Sequence, residues 1–191
     1  MKTIKSIMSY VIPIVVAVAL VLVINNFVMT PIRVDGNSMQ PNLENQQLGV
    51  AVKPTAINHN SVIIFDANGE DPSVHKHTDY VKRVIGLPGD TVESKNGNIY
   101  VNHKKIYQGY IGKYQRTTGT GNWTLHSLSK SWPRDNGVTV VPKGKYFVLG
   151  DHRSISMDGR YWGFVPKNKI VGVMKVLPFS KNATLVNASK Q

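Results

Sequence analysis

Ser38 and Lys82 are the two residues whose types and settings point most directly to chemistry. Ser38 sits in Gly36-Asn37-Ser38-Met39-Gln40-Pro41, shortly after a long apolar segment. Lys82 lies in an apolar frame, Tyr80-Val81-Lys82-Arg83-Val84-Ile85-Gly86. A serine hydroxyl is a poor nucleophile until a base removes its proton. Lysine serves as that base only when neutral, and its ordinary pKa of about 10.4 prevents this in water. Desolvation in an apolar wall penalises the ammonium, and lowering the pKa by roughly three units takes about 4 kcal/mol of differential interaction. Side chains alternate along a strand, so Tyr80, Lys82 and Val84 share one face and Val81, Arg83 and Ile85 the other. One of the two cations then faces a nucleophile while the other pairs with carboxylates. Histidine is the rival base, because His152 follows Asp151 and needs far less tuning than lysine. Neighbours on an extended chain point to opposite sides, which argues against Asp151 orienting His152.

The elements that must position these groups begin with residues 7–24, an uncharged run, IMSYVIPIVVAVALVLVI. About 18 helical residues reach about 27 Å, close to the hydrocarbon thickness of a bilayer. Phe27, Val28 and Met29 extend the run past Asn25-Asn26, and Pro13 lies near its start. Lys2 and Lys5 precede it and Arg33 follows, which favours a cytoplasmic N-terminus. Ala17-Val18-Ala19 fits a signal-peptide cleavage pattern but lies inside the apolar run, so a retained anchor is the expectation. Beyond residue 30, short apolar runs alternate with Gly, Pro, Asn and Asp. They predict strands at 48–52, 62–66, 80–85, 91–94, 98–101, 104–107, 138–141, 146–149 and 170–176. Asn96-Gly97 signals a hairpin, and Leu87-Pro88-Gly89-Asp90 and Pro142-Lys143-Gly144 signal turns. No amphipathic helix is expected outside the anchor, so the fold class is mostly β, built from antiparallel sheets. The expected division is residues 1–30 as cytoplasmic N-terminus and transmembrane anchor, 31–180 as an extracytoplasmic domain, and 181–191 as a polar tail that frays. Residues 108–137, rich in Gly, Thr, Ser and Lys, mark a looser insert within a smaller subregion at about 95–143.

Composition narrows the partners. The chain has 191 residues, 41% of them hydrophobic, enough for one anchor and one packed domain. It has no cysteine, which removes disulfides, thiolate catalysis and cysteine-based zinc sites. Its net charge is +12, from 23 Lys and Arg against 11 Asp and Glu. No basic run is interleaved with stacking aromatics, so anionic lipid or an acidic cell wall fits this charge better than nucleic acid. The six histidines form no metal pattern, His75-Lys76-His77 reads as an exposed loop, and neither metal nor cofactor is expected. Ser73–Lys76 and Ser127–Lys130 have the Ser-x-x-Lys spacing of penicillin-binding proteins, but no Lys-Thr-Gly accompanies them.

The apolar segment, Ser38-Met39-Gln40-Pro41, Val62-Ile63-Ile64-Phe65, Tyr80 through Asp90, and Gly150-Asp151-His152-Arg153 with Ser156-Met157-Asp158-Gly159-Arg160 together resemble a bacterial type I signal peptidase of the Gram-positive form. The resemblance implies an all-β catalytic domain with a smaller β subregion, held at the cell membrane by a single span, that cleaves signal peptides from exported preproteins. It makes Ser38 the nucleophile, with its own N–H in the oxyanion hole, and Lys82 the general base. Ser156 would position the lysine, and Met39 and Pro41 would belong to the substrate-binding segment, although Met39 by residue type alone is core filling. Arg83, Asp151, Arg153, Asp158 and Arg160 would form an ion-pair network that braces the site. Five positions depart from the family pattern: Asn42 for Thr, Asn60-Ser61 for Gly-Asp, His152 for Asn and Gly159 for Ser. His152 and Gly159 raise the alternative of a weak or inactive paralogue that binds preproteins or a wall partner. A Ser–Lys autoprotease of the repressor type would need a DNA-binding domain where this chain has its apolar segment.

Overall fold

The computed structural model describes residues 2–23, 27–53 and 56–187, with side chains from Tyr10 onward. Asn25-Asn26, the side chains of Lys2 and Lys5, and the tail beyond residue 187 lie outside the described residues. Helix α1 covers Lys2–Val23 and contains Pro13. Every described side chain on it is exposed. Among the described residues, no helix is long and apolar enough to cross a membrane.

The rest is antiparallel β. Strands β1 (Met29–Arg33), β2 (Leu48–Val52), β3 (Val62–Asp66), β4 (Asp79–Gly86), β9 (Lys145–Leu149), β10 (Phe164–Pro166) and β11 (Ile170–Lys175) form a seven-stranded sheet in the order β1-β2-β11-β3-β4-β9-β10. Four short strands, β5 (Val92–Lys95), β6 (Asn98–Val101), β7 (Lys104–Lys105) and β8 (Trp123–Thr124), form a second sheet in the order β7-β6-β5-β8. β3 is the centre of the large sheet, and its apolar residues read as a continuous run because both faces are covered. Val62 and Ile64 enter one core with Met39, Leu43 and Val81, while Ile63 and Phe65 enter another with Val84, Val148 and Trp162. A third core joins the sheets, with Trp123, Trp132, Phe147 and Phe164 in mostly edge-to-face contact.

Local chemistry explains the elements the sequence displays and those it conceals. Asn96 (φ 51°) and Gly97 (φ 75°) close the β5–β6 hairpin in the left-handed region that their side chains tolerate. β1 and β10 contain Pro31 and Pro166, which hides their strand character, and both occupy sheet edges where a missing donor is harmless. The strand expected at 138–141 does not form. Val141 instead exchanges two backbone hydrogen bonds with the 87–90 turn, and Pro142 ends the segment. Three helical turns, α2 (Leu125–Ser129), α3 (Gly159–Trp162) and α4 (Ala183–Asn187), are too short to show a helical period. α4 also corrects the expectation of a fraying tail: Ala183 and Val186 are buried, and the Asn187 amide bonds both backbone groups of Val176.

Candidate active site

The turn that carries Ser38 is pinned from below. Met39 and Leu43 are buried in the first core, and the N–H groups of Asn42 and Leu43 both donate to the Met39 carbonyl. Gly36, at φ 86°, starts the turn in a conformation that suits glycine, and its N–H donates to Asn45. With Met39 directed inward, Ser38 is left half-buried at the edge of a cleft of about 330 Å³. Lys82, on β4, enters from the opposite wall and donates from Nζ to Ser38 Oγ at 2.8 Å. Asp35, Tyr80, Val81, Ile155 and Met157 line the same cleft. Residues Ile63 to Asp66 pair with Lys82 back to Asp79, whereas β9 joins β4 only from Arg83 onward. The Asp79–Lys82 stretch therefore has a second edge without a strand partner, alongside the serine.

Lys82 is 4% exposed, and burial is the main reason its pKa falls from 10.5 to about 8. The carboxylates of Asp158, Asp151 and Asp71 oppose that fall, and Arg160 adds to it. The amine is therefore neutral in about a tenth of the molecules at pH 7 and in about half near pH 8.

The network around the pair consists of two fully formed ion pairs. Arg83 grips Asp151 through Nε and Nη2, both at 2.8 Å, donates from Nη1 to the carbonyls of Asn60 and Leu185, and stacks 4.1 Å from the Tyr110 ring centroid. Arg160 holds Asp158 at 2.8 and 3.0 Å and reaches the carbonyls of Gly119 and Arg153. Arg153 bonds the Gly150 carbonyl, Gln108, Thr120 and the Tyr110 hydroxyl. Asp158 also accepts from the Gly150 N–H. The planar guanidinium fork satisfies several buried acceptors at once, which an ammonium does not. The clamp reaches the serine turn through Asn42, whose amide bonds Asp151 and the Tyr110 carbonyl, and through His152, whose N–H donates to the Ser38 carbonyl at 3.0 Å.

The structure thus gathers Ser38, Lys82, Arg83, Asp151, Arg153, Asp158 and Arg160 into one region. Met39 and Pro41 are not in the cleft wall: Met39 is 1% exposed in the core, and Pro41 faces solvent while its carbonyl accepts from Asn182. Ser156 is buried nearby, but its hydroxyl makes no hydrogen bond among the described residues. Gly150 fits tightly between them, since a Cβ there would stand 2.1 Å from Ser156 Oγ and 2.6 Å from the Ser38 carbonyl oxygen. His152 does not form a triad, because both oxygens of Asp151 are taken by Arg83 and Asn42 and its own Nδ1 is buried without a partner. The Gly159 departure is accommodated by packing: a Cβ there would lie 2.8 Å from Phe147 and 2.9 Å from the Val148 carbonyl. Sequence reasoning missed Tyr110, which lies in the segment read as loose. It missed the role of Asn42, which only a buried carboxylate opposite it explains.

An antiparallel β domain that sets a serine against a buried lysine across a cleft has the character of a serine hydrolase. Comparison with known proteins makes the class specific. Residues 7–179 match the family described as signal peptidase, peptidase S26. The chain is 37% identical over 187 residues to signal peptidase IB of Staphylococcus aureus strain COL, covering 93% of each. It is 39% identical over 171 residues to signal peptidase I of Bacillus amyloliquefaciens, covering 87% of this chain and 82% of that one. Among solved structures it resembles a signal peptidase I from Enterococcus faecalis V583, with 31% identity and a TM-score of 0.53 across 62% of this chain and 97% of that one. The chain belongs to the bacterial type I signal peptidases.

Proposed function

We propose that this protein is a membrane-anchored serine endopeptidase that removes signal peptides from exported preproteins, with Ser38 as nucleophile and Lys82 as general base. The observation that carries the reading is the 2.8 Å hydrogen bond between a half-buried serine and a lysine that is 4% exposed. Neutral Lys82 takes the Ser38 proton as Oγ attacks the scissile carbonyl carbon. The Ser38 N–H, which has no intramolecular acceptor among the described residues, is free to stabilise the oxyanion. The Lys82 ammonium then gives its proton to the leaving amine as the peptide bond breaks. Lys82 next removes a proton from the water that hydrolyses the acyl-serine ester, and the ammonium returns that proton to Ser38. The unpaired edge of Asp79–Lys82 suits an extended peptide added as a strand, with alternate side chains directed into the cleft.

α1 supports the anchor part of the reading. Its described side chains from Tyr10 to Val23 are apolar and exposed. They do not make a span by themselves, and the uncharged run of the sequence, residues 7–24, brings the apolar length to about 27 Å. In this reading residues 1–30 hold the cytoplasmic N-terminus and anchor, and residues 31–180 work outside the membrane. Anchoring keeps enzyme and scissile bond in one thin layer, which raises their effective concentration. The test is the pH dependence of kcat/KM for preprotein cleavage by the detergent-solubilised full chain. A limb that rises with pH and is centred near about 8 is expected. A rising limb that His152→Ala abolishes would refute the assignment of the base.

A further inference from the structure

Three carboxylates act on Lys82, and they are not equivalent. Asp158 and Asp151 each face a guanidinium, Arg160 and Arg83 respectively. Asp71 is 3% exposed, and no cation contacts it among the described residues. Its side-chain partners are the Ser73 N–H at 2.9 Å, the Ser73 hydroxyl at 2.7 Å and the Tyr80 hydroxyl at 3.1 Å. The turn that holds it is fixed by backbone bonds from Glu70 and Asp71 to Ala67 and from Val74 to Asp71. Tyr80 is two residues before Lys82 on β4, so both side chains share a face, and the ring centroid lies 5.0 Å from Nζ. The same ring lines the cleft. A buried carboxylate held only by neutral donors is expensive to keep charged, and a turn alone would be served by asparagine.

We propose that Asp71, acting through Tyr80, is a positioning residue for Lys82: it fixes the tyrosine ring against the amine and supplies an unneutralised negative charge that favours the ammonium. The proposal rests on the Ser–Lys reading. In that reaction the lysine must hold a proton until it is delivered to the leaving amine, and a nearby negative charge offsets the burial that disfavours that ammonium. Asp158 and Asp151 favour the ammonium more strongly than Asp71 does, but each is held in an ion pair with a guanidinium, and Arg160 opposes them at the amine. Asp35 and Asp79 stand at the open cleft, where water screens them.

The test is the pH–rate profile of the solubilised full chain carrying Asp71→Asn, Asp71→Glu or Tyr80→Phe, with Lys82→Met as reference. Asp71→Asn should move the rising limb to lower pH by roughly half a unit or more, because a charge favouring the ammonium is gone. Asp71→Glu should return it toward the wild-type position. Tyr80→Phe should also move it to lower pH, because the ring loses its tether to Asp71 and is no longer fixed against the ammonium. A purely structural role for Asp71 would lower the rate without moving the limb. A limb unmoved in Asp71→Asn, with Lys82→Met inactive, overturns this inference alone. Should Asp71→Asn fail to fold, Tyr80→Phe decides: a lowered limb supports the inference, and an unmoved or raised one overturns it. Normal cleavage by Lys82→Met overturns the Ser–Lys reading and this inference with it.

Discussion

Replacing Lys82 by methionine should abolish cleavage and, near neutral pH, stabilise the fold. The magnitude follows from the buried amine. Its pKa falls from 10.5 to about 8, and about 1.4 kcal/mol per unit gives a cost of about 3 kcal/mol for holding the ammonium in the folded chain. Below pH 8 the amine is charged in both states, so the wild type bears the whole cost. Between pH 8 and 10.5 the unfolded chain binds the proton and the folded chain does not, so wild-type stability rises with pH. Above that window the cost is gone. Methionine keeps most of the apolar stem and has no charge to desolvate, but loses the bond to Ser38, worth about 1 kcal/mol. Lys82→Met should therefore be more stable than wild type by about 2 kcal/mol at pH 7 and less stable by about 1 kcal/mol above pH 10.5. Urea unfolding of both proteins in the same detergent at pH 7, 9 and 10.5 measures the difference, and other groups that titrate there cancel. A difference that does not change with pH, or a variant less stable at pH 7, would refute the claim that burial tunes this lysine.

Further outcomes follow from the same geometry. Arg83→Met leaves Asp151 buried without its bidentate partner and should cost about 3–5 kcal/mol in chemical denaturation, whereas a loss under 1 kcal/mol would make the pair dispensable. His152→Asn should retain most of the cleavage rate, since residue 152 hydrogen-bonds the serine turn through its backbone N–H; inactivity in a folded variant would show that the ring participates. Protease added to intact spheroplasts should digest the region beyond Arg33, and full protection until lysis would reverse the orientation inferred for the anchor.

How much the sequence displayed depended on whether the controlling physics was local. The runs at 48–52, 62–66 and 98–101 match β2, β3 and β6 residue for residue, because β-branched runs bounded by turn residues carry their own signal. The opposite facing of Lys82 and Arg83 followed from strand alternation alone, and their partners, Ser38 and Asp151, lie on different sides of β4. Edge strands containing proline, helices of one turn and the docking of Ala183 and Val186 depend on tertiary packing, which no short window shows. The same holds for Tyr110. Its polar, glycine-rich surroundings read as loose, yet Arg83 and Arg153 fold that segment against the site. Met39 shows the limit of a resemblance: the family implied the cleft and residue type alone the core, and the turn directs it into the core.

The central claim is that Ser38, activated by Lys82, cuts signal peptides. Mass spectrometry of a purified preprotein incubated with the detergent-solubilised full chain tests it most directly. Wild type should yield one new N-terminus, produced by a single cut after a small residue. Ser38→Ala, folded and free of contaminating protease, should slow that cut by about a thousandfold or more. Cleavage by Ser38→Ala at the wild-type rate and position would contradict the account.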